Sequence, residues 1–429
     1  MRVAFVVDKF PNISETFVLD EIVGIIRRGI EVDIFALERG TEADVHPAYR
    51  EFRLRERTIY CVPNVQSRLG RLLAALPSTL LMLARNPKAL VKAATTRRAG
   101  IQARTFVSLA RAFVNAGRTY DVIHAHFGPN GVRAAALRSA GAVRAPIVTT
   151  FHGYDATSFI VKHGVSAYRE LASLGECFIA VSESIARALP SIGMPRERTV
   201  IKPLGVDCEQ FSLLPPRPDR GAIRIMSVGR FVEKKGLEYG IRAVTEARRS
   251  CPNIVYDIVG DGMLRPQLEA LIAELHAESF VHLLGYKNQA ELRGLLDRTD
   301  IMLVPSVTAA DGDQESMPIV VKEAMASGVP VVASRHAGIG EIVAHGVTGL
   351  LADERDVRGL AECLVLLAQD ARLRERFRAT GRETIEARFD NECLIDDLAR
   401  LYRQMCERGL DSNRRADARE WIGNATHAG

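Results

Sequence analysis

The chain has 429 residues, 47% hydrophobic and 25% charged. That length exceeds what one hydrophobic core fills, and the balance excludes wholesale disorder or a fibrous repeat. The net charge of +5 is unevenly placed: residues 1–205 hold 28 basic and 17 acidic side chains, a net of +11, and the remainder carries −6.

The opening MRVAFVVDKFP is too short in its apolar part for a signal peptide and reads as a first strand. No uncharged apolar run reaches the ~18–20 residues of a membrane-spanning helix. Strand and helix patterns then alternate, the signature of parallel sheets covered by helices. Strands are expected at Val3–Val7, Glu31–Ala36, Val122–Ala125, Ile147–Phe151, Cys177–Val181 and Val200–Pro203, with helices at Glu15–Arg28, Gly131–Ser139 and Glu183–Leu189. Residues 208–221, rich in Pro and charge, read as a linker. A second series follows at Arg224–Val228, Ile254–Val259, Phe280–Leu284, Ile301–Val304 and Val329–Ala333. The expected fold is therefore α/β, two doubly wound Rossmann-like domains facing a central cleft. Residues 1–207 form the first domain and 222–385 the second. A C-terminal helix at 386–410 is expected to pack back on the first, and 411–429 reads as a frayed tail.

Between Thr58 and Tyr120 the chain has ten basic residues and no acidic one. Such a block suits anionic lipid, phosphates or nucleic acid, or it is simply a solvated helical face. Seven cysteines, with no CxxC pair, fit a reducing cytoplasm better than a disulfide framework or a zinc site.

The chemistry-bearing motifs sit at strand ends. In DGDQESMPIVVKEAMASGVPVVAS (311–334), a strand runs into a polar loop holding Glu315, and Pro318 suits a helix start whose open amides favour phosphate. Glu323, eight residues on, lies in that helix among apolar neighbours. Such a carboxylate needs a partner, either a vicinal diol or a cation such as Lys322. In VGRFVEKKG (228–236), Arg230 and Lys235 lie in a Gly-bounded turn where both can face a pyrophosphate, though a solvated basic turn gives the same pattern. No Walker A loop occurs. FHGYD (151–155) places His152 directly after a strand. IHAHFG supplies His124 and His126, but no carboxylate or cysteine cluster lies nearby in sequence, so a metal site is not expected. Asp311-Gly-Asp313 has the look of a metal-binding DxD but feeds the loop of Glu315. Gly260-Asp-Gly262 follows a strand, yet Arg265 stands where a dinucleotide fingerprint needs its third glycine.

Taken together these motifs resemble the retaining group 1 glycosyltransferases, the large family with the GT-B fold. The E-x7-E pattern of Glu315 and Glu323 is the most specific mark. Gly229-Arg230, Lys235-Gly236 and PLGVDCEQF (203–211) agree in order and spacing. FPNISETFVLDEI (10–22) and PSVTAADGDQES (305–316) resemble more narrowly the bacterial exopolysaccharide transferases of the colanic acid and amylovoran type. The resemblance runs to about residue 405. It implies a nucleotide-diphosphate-sugar donor with Arg230 and Lys235 on the diphosphate, and Glu323 on the ribose hydroxyls. Glu315 falls on the transferred sugar beside the amides of Ser316 and Met317 and the Pro318 helix start, and Tyr286 edges the base. His152 matches the first-domain histidine that reaches toward sugar and phosphate. Three positions depart from the family. PNISET replaces a Gly-Gly loop, leaving Ser14 and Thr16 as candidate phosphate contacts. Ser316 replaces a glycine, and Leu204 replaces an asparagine.

The same resemblance implies hexosyl transfer without a metal or cofactor. The acceptor would be a saccharide carried on polyprenyl diphosphate at the inner membrane face, where the basic block would dock. That makes the protein cytoplasmic, peripheral to the membrane. Rival readings are another GT-B enzyme, such as an epimerase needing no acceptor or a pyridoxal-dependent phosphorylase, and a nucleic-acid-binding protein. The basic stretch carries few aromatics for base stacking (Phe106, Phe113), so no nucleic-acid partner is expected.

Overall fold

The computed structural model describes residues 1–12, 15–40, 47–62, 103–215 and 221–410. Ser14, most of the basic block and the tail from 411 lie outside the described residues. The chain divides into two compact units. The first takes Met1–Val181, Ile185–Lys202 and the chain from Ile395 onward; the second takes Ser182–Ser184 and Pro203–Leu394.

In the first unit, strands β1 (Arg2–Phe10), β2 (Glu31–Arg39), β3 (Thr58–Tyr60), β4 (Val122–His126), β5 (Ile147–Phe151), β6 (Cys177–Ala180) and β7 (Thr199–Ile201) form one sheet. Its order is β3-β2-β1-β4-β5-β6-β7, and each paired neighbour is parallel, with Val3 opposite both Val32 and Val122. Strands β4 and β5 are buried along their whole length, as expected when helices cover both faces of a parallel sheet. The helix Thr16–Arg27 buries Val18, Leu19, Ile22, Val23 and Ile25. The C-terminal helix Asn391–Leu410 adds Ile395, Leu398, Leu401, Tyr402 and Met405 to the same core. Gly24 is what lets these two helices approach, because a Cβ there would sit 2.2 Å from Ile395 Cδ1.

The second unit holds β8 (Ile223–Val228), β9 (Ile254–Val259), β10 (Val281–Gly285), β11 (Ile301–Val304), β12 (Val331–Ser334) and β13 (Gly349–Ala352), all parallel, in the order β10-β9-β8-β11-β12-β13. Strands β3 and β13 go beyond the sequence expectation. Residues 208–215, read as linker, are held firmly: Arg382 donates to the carbonyls of Phe211, Ala326 and Cys208, and Phe211 is buried. The proline and charge content of that stretch hid its apolar anchor.

Both sheets reverse their strand order once, between β1 and β4 in the first and between β8 and β11 in the second. Adjacent chain connections there leave in opposite directions, so a crevice opens at the carboxyl ends of the strands, where α/β proteins place ligands. Among the described residues no helix is long and apolar enough to cross a membrane.

Candidate functional site

In the second unit the sequence-derived residues fall on the two strand ends beside the reversal. Strand β8 ends at Val228 and delivers Gly229, Arg230 and the short 3-10 turn Glu233–Lys235. Strand β11 ends at Val304 and delivers the loop holding Glu315. Lys235 Nζ and Glu315 Oε2 meet as an ion pair, with both side chains 16% exposed. The two segments are clasped together along their length. Val307 N–H donates to the Lys234 carbonyl at 2.9 Å, Ala310 N–H to Glu233 Oε1 at 3.0 Å, and Lys234 Nζ lies 3.0 Å from Asp313 Oδ2. The Asp311/Asp313 pair is thus already committed, because Asp311 accepts from Asp313 N–H and Asp313 holds Lys234.

Two glycines make this clasp possible. Gly236 has φ +58°, and a Cβ there would lie 2.0 Å from the Pro305 carbonyl oxygen. Gly229 leaves room for the Lys235 stem, whose Cε would be 3.0 Å from an added Cβ.

Glu315 is fixed from behind by residues that sequence reasoning missed. Its backbone N–H donates to His336 Nε2 at 3.0 Å, and His336 Nδ1 hydrogen-bonds Glu354 Oε1. A nitrogen that accepts an amide proton carries none itself, so the single ring proton sits on Nδ1 and points at Glu354. Glu354 also accepts from Thr308 N–H at 2.9 Å. His336 follows β12 and Glu354 follows β13. The chain Lys235–Glu315–His336–Glu354 therefore runs along four adjacent strand ends, β8, β11, β12 and β13. The available signal was positional, since a polar residue just past a parallel strand lies at the ligand edge. Glu354 could be read that way only once β13 was recognised.

The electrostatics follow from this packing. Burial alone would raise the Glu315 carboxyl, but Lys235 and Lys234 hold it below its ordinary value. For Glu354 burial is likewise opposed by His336 and the Thr308 amide, and the net direction is down. Arg230 is exposed, and its guanidinium has no partner among the described residues. Ser316 and Met317 are buried, and Pro318 is the N-cap of helix Ile319–Ala326, with no side chain capping that start. Glu323 is partly buried on this helix. Lys322, weighed as its holder, is fully buried and donates to the Leu204 carbonyl at 2.5 Å, with Phe389 beneath its ammonium. Tyr286 follows β10 and is 48% exposed.

In the first unit His152 follows β5, against Phe17 and Phe127 with ring centroids 4.9 and 4.4 Å away. Phe127 has φ +70°, a left-handed geometry that costs a non-glycine residue about 1–3 kcal/mol and gathers at functional sites. Asp155, the last residue of FHGYD, fixes the backbone here by accepting from the amides of His152, Gly153 and Gly128. Thr16 opens the helix after β1, one of the two strands, β1 and β4, that flank the reversal.

One expectation needs correcting. His124 and His126 do have a carboxylate beside them: Glu21 Oε1, from helix Thr16–Arg27, lies 3.4 Å from His124 Nδ1 and 3.2 Å from His126 Nε2. It was invisible because it comes from about a hundred residues upstream. The positive charge facing that carboxylate is Lys202, with Nζ 3.0 Å from Glu21 Oε2.

Two parallel-sheet Rossmann-like units, each with a polar cluster at its strand-order reversal, make up the GT-B fold of this chain. Residues 216–384 match the family described as glycosyl transferases group 1, and residues 14–210 the one described as glycosyltransferase family 4. The chain is 35% identical over 408 residues to the putative colanic acid biosynthesis glycosyltransferase WcaL of Escherichia coli K12, covering 94% of this chain and 100% of the relative. It is 33% identical over 409 residues to the amylovoran biosynthesis glycosyltransferase AmsK of Erwinia amylovora, covering 94% and 100%. In fold it resembles Anabaena HepE, solved with UDP and glucose, at TM-score 0.68 and 19% identity over 93% of this chain and 98% of that one. It also resembles the sucrose-phosphate synthase of Thermosynechococcus elongatus at TM-score 0.71 and 20% identity over 95% and 100%. The chain belongs to the group 1 glycosyltransferases, as the E-x7-E and G-R-x4-K-G patterns implied.

The depressed Glu315 carboxyl yields a pH test. A folded-state pKa below the unfolded value contributes stability that is complete above about pH 5 and is lost as pH falls through the folded value. Glu315→Gln should lower stability by about 1–3 kcal/mol at pH 7. Urea unfolding at falling pH should show the gap to wild type closing below about pH 4; a gap independent of pH would mean the ion pair contributes nothing.

Proposed function

We propose that this protein transfers a hexosyl group from a nucleotide-diphosphate-sugar to a hydroxyl of a saccharide carried on polyprenyl diphosphate, in bacterial exopolysaccharide synthesis. The observation that carries this reading is the Lys235–Glu315 pair at the β8/β11 reversal. It sets a cation for a diphosphate beside an acceptor for sugar hydroxyls, within one hydrogen-bond span. Names of the relatives WcaL and AmsK support the exopolysaccharide context, and the UDP and glucose of HepE support a nucleotide-sugar donor.

The roles follow from charge. Departure of a nucleoside diphosphate develops negative charge on its phosphates, and preorganised cations and amides aimed there lower the barrier without moving. Arg230 offers a bidentate fork and Lys235 a point charge. The uncapped start of helix Ile319–Ala326, with the amides of Ser316 and Met317 just before it, adds partial positive charge. Glu315 accepts from hydroxyls of the transferred sugar, Glu323 from the ribose diol, and Tyr286 lies along the base. Thr16 contacts phosphate from the first unit and His152 the sugar. Ser14, given the same part as Thr16, lies outside the described residues. No side chain acts as a nucleophile, and no metal is required. The acceptor attacks on the leaving-group face, its proton passing to a phosphate oxygen, so the anomeric configuration is retained.

Two measurements check this. Purified protein incubated with UDP-, GDP- and dTDP-hexoses, a lipid-linked saccharide acceptor and EDTA should release one nucleotide and give a product whose anomer, read by proton NMR, matches the donor. Glu315→Gln should reduce the rate by about 100-fold or more. An inverted product, or activity restored only by a divalent cation, would sink the mechanism.

The protein also works at an anionic membrane surface, through the acid-free block 58–120. Arg111 and Arg118 of that block are committed elsewhere, Arg111 to the Cys61 carbonyl and Arg118 to Asp33. Docking therefore rests on its other cations. Flotation with anionic vesicles should carry the protein upward in low salt and not in high salt; failure to float in low salt removes this part of the reading.

A further inference from the structure

One carboxylate in the second unit serves both ends of the loop that carries Glu315. Glu354, just past β13, accepts from Thr308 N–H at 2.9 Å through Oε2, where Arg355 Nη1 also stands 3.5 Å away. Its Oε1 accepts from the Thr308 hydroxyl at 3.2 Å and from His336 Nδ1–H. His336, 2% exposed, passes that hold to the far end of the loop, because its Nε2 takes the Glu315 N–H at 3.0 Å. A backbone amide can only donate, so this last bond requires a bare Nε2 and leaves the ring proton on Nδ1.

The neighbours reinforce the same grip. Arg355 has φ +64°, a left-handed geometry uncommon outside glycine, and its guanidinium donates to the Thr308 carbonyl. Gln314 Nε2 donates to Thr308 Oγ1 at 3.2 Å, which ties the two ends of the loop to each other. Gly338 lets the segment after β12 lie against the next peptide: an added Cβ would be 1.7 Å from the Ser316 carbonyl oxygen.

Among the described residues, every polar contact of the Glu354 carboxylate is with a donor. Burial works against its charge, but His336 and the Thr308 amide hold the carboxyl below its ordinary value, so both oxygens accept. A glutamine at this position has one acceptor oxygen for the two ends of the loop. With that oxygen on Thr308, its NH2 would face His336 Nδ1, drive the ring proton to Nε2 and expel the Glu315 amide. With the oxygen on His336, its NH2 would face the Thr308 N–H and release that end instead. Only a carboxylate holds both.

We propose that Glu354 is the positioning residue of the Glu315 loop. Acting directly on Thr308, and through His336 on the Glu315 amide, it sets the aim of the Glu315 side chain at the transferred sugar. The inference rests on the reading above that Glu315 touches that sugar; the hydrogen-bond chain itself does not.

The test uses the full chain, with long-range proton–nitrogen NMR on 15N-histidine for the ring protons and hexosyl transfer for turnover. His336, assigned by its loss in His336→Gln, should have Nδ1 protonated and Nε2 bare. Glu354→Gln should either move that proton to Nε2 or speed backbone hydrogen exchange across 305–310. It should lower kcat about 10- to 100-fold, the scale on which residues orienting a functional group act. Its affinity for free UDP, GDP or dTDP, which lack the sugar, should match wild type, whereas a general loss of structure would weaken both. His336→Gln, whose amide oxygen can still take the Glu315 N–H, should keep more turnover than His336→Leu. A protonated Nε2 in wild type, full turnover by Glu354→Gln, nucleotide affinity falling in step with kcat, or equal turnover by the two His336 variants overturns the proposal. A wild type that transfers no sugar refutes the proposed function instead. The His336 proton and the exchange across 305–310, compared between wild type and Glu354→Gln, then decide the hydrogen-bond chain alone.

Discussion

An ammonium and a carboxylate meeting at the reversal of the second sheet's strand order constrain most of the local structure. For Lys235 to reach Glu315, the turn after β8 must fold back over Gly229, and Gly236 must take up a left-handed φ against the Pro305 carbonyl. The β11 loop must in turn be stitched to that turn through Val307, Ala310 and Asp313. Neither side chain is wholly exposed, so each requires the other. The carboxylate is anchored through its own backbone by His336 and Glu354. Each of these residues lies in a segment that follows a parallel strand, and the sheet order sets the order of the polar chain.

The first unit uses the same device with different chemistry. Its reversal brings together the helix after β1 and the ends of β4 and β5, and what collects there is imidazole in place of a lysine–glutamate pair. Asp155 secures the backbone of His152 as His336 secures that of Glu315. In both units the residue that faces substrate in the proposed function is held by a buried polar group, from the next strand end for Glu315 and from the same loop for His152. Such a layer restricts the motion of the reacting group and excludes alternative hydrogen-bond patterns.

Much of this was legible in the chain. Alternating apolar runs marked eleven of the thirteen described strands, because buried parallel strands are continuous apolar stretches. The residues of the Lys235–Glu315 pair were read from strand-end motifs, and the family resemblance bound them into one pattern. What stayed hidden was contact across sequence distance. Glu21 lies on a helix and Lys202 just past a short edge strand, and no motif singles out either one. Their pairing exists only once the sheet order is known. His336 and Glu354 carried no motif, and β13, which positions Glu354, is four residues long. The Pro- and charge-rich stretch at 208–215 concealed Phe211, an anchor that composition averages away.

In the proposed function, the reversal of the second sheet is the nucleotide-sugar site. The most direct measurement is a thermal-shift titration with UDP, GDP and dTDP, without added metal, on wild type, Lys235→Ala and Glu323→Ala. A ligand at 100 times its dissociation constant stabilises the folded protein by about 2.7 kcal/mol, enough to move the midpoint visibly. One nucleotide should shift the wild type, and neither variant should respond comparably. If no nucleotide shifts the wild type, or if both variants respond as it does, the Lys235–Glu315 edge is not where the donor binds.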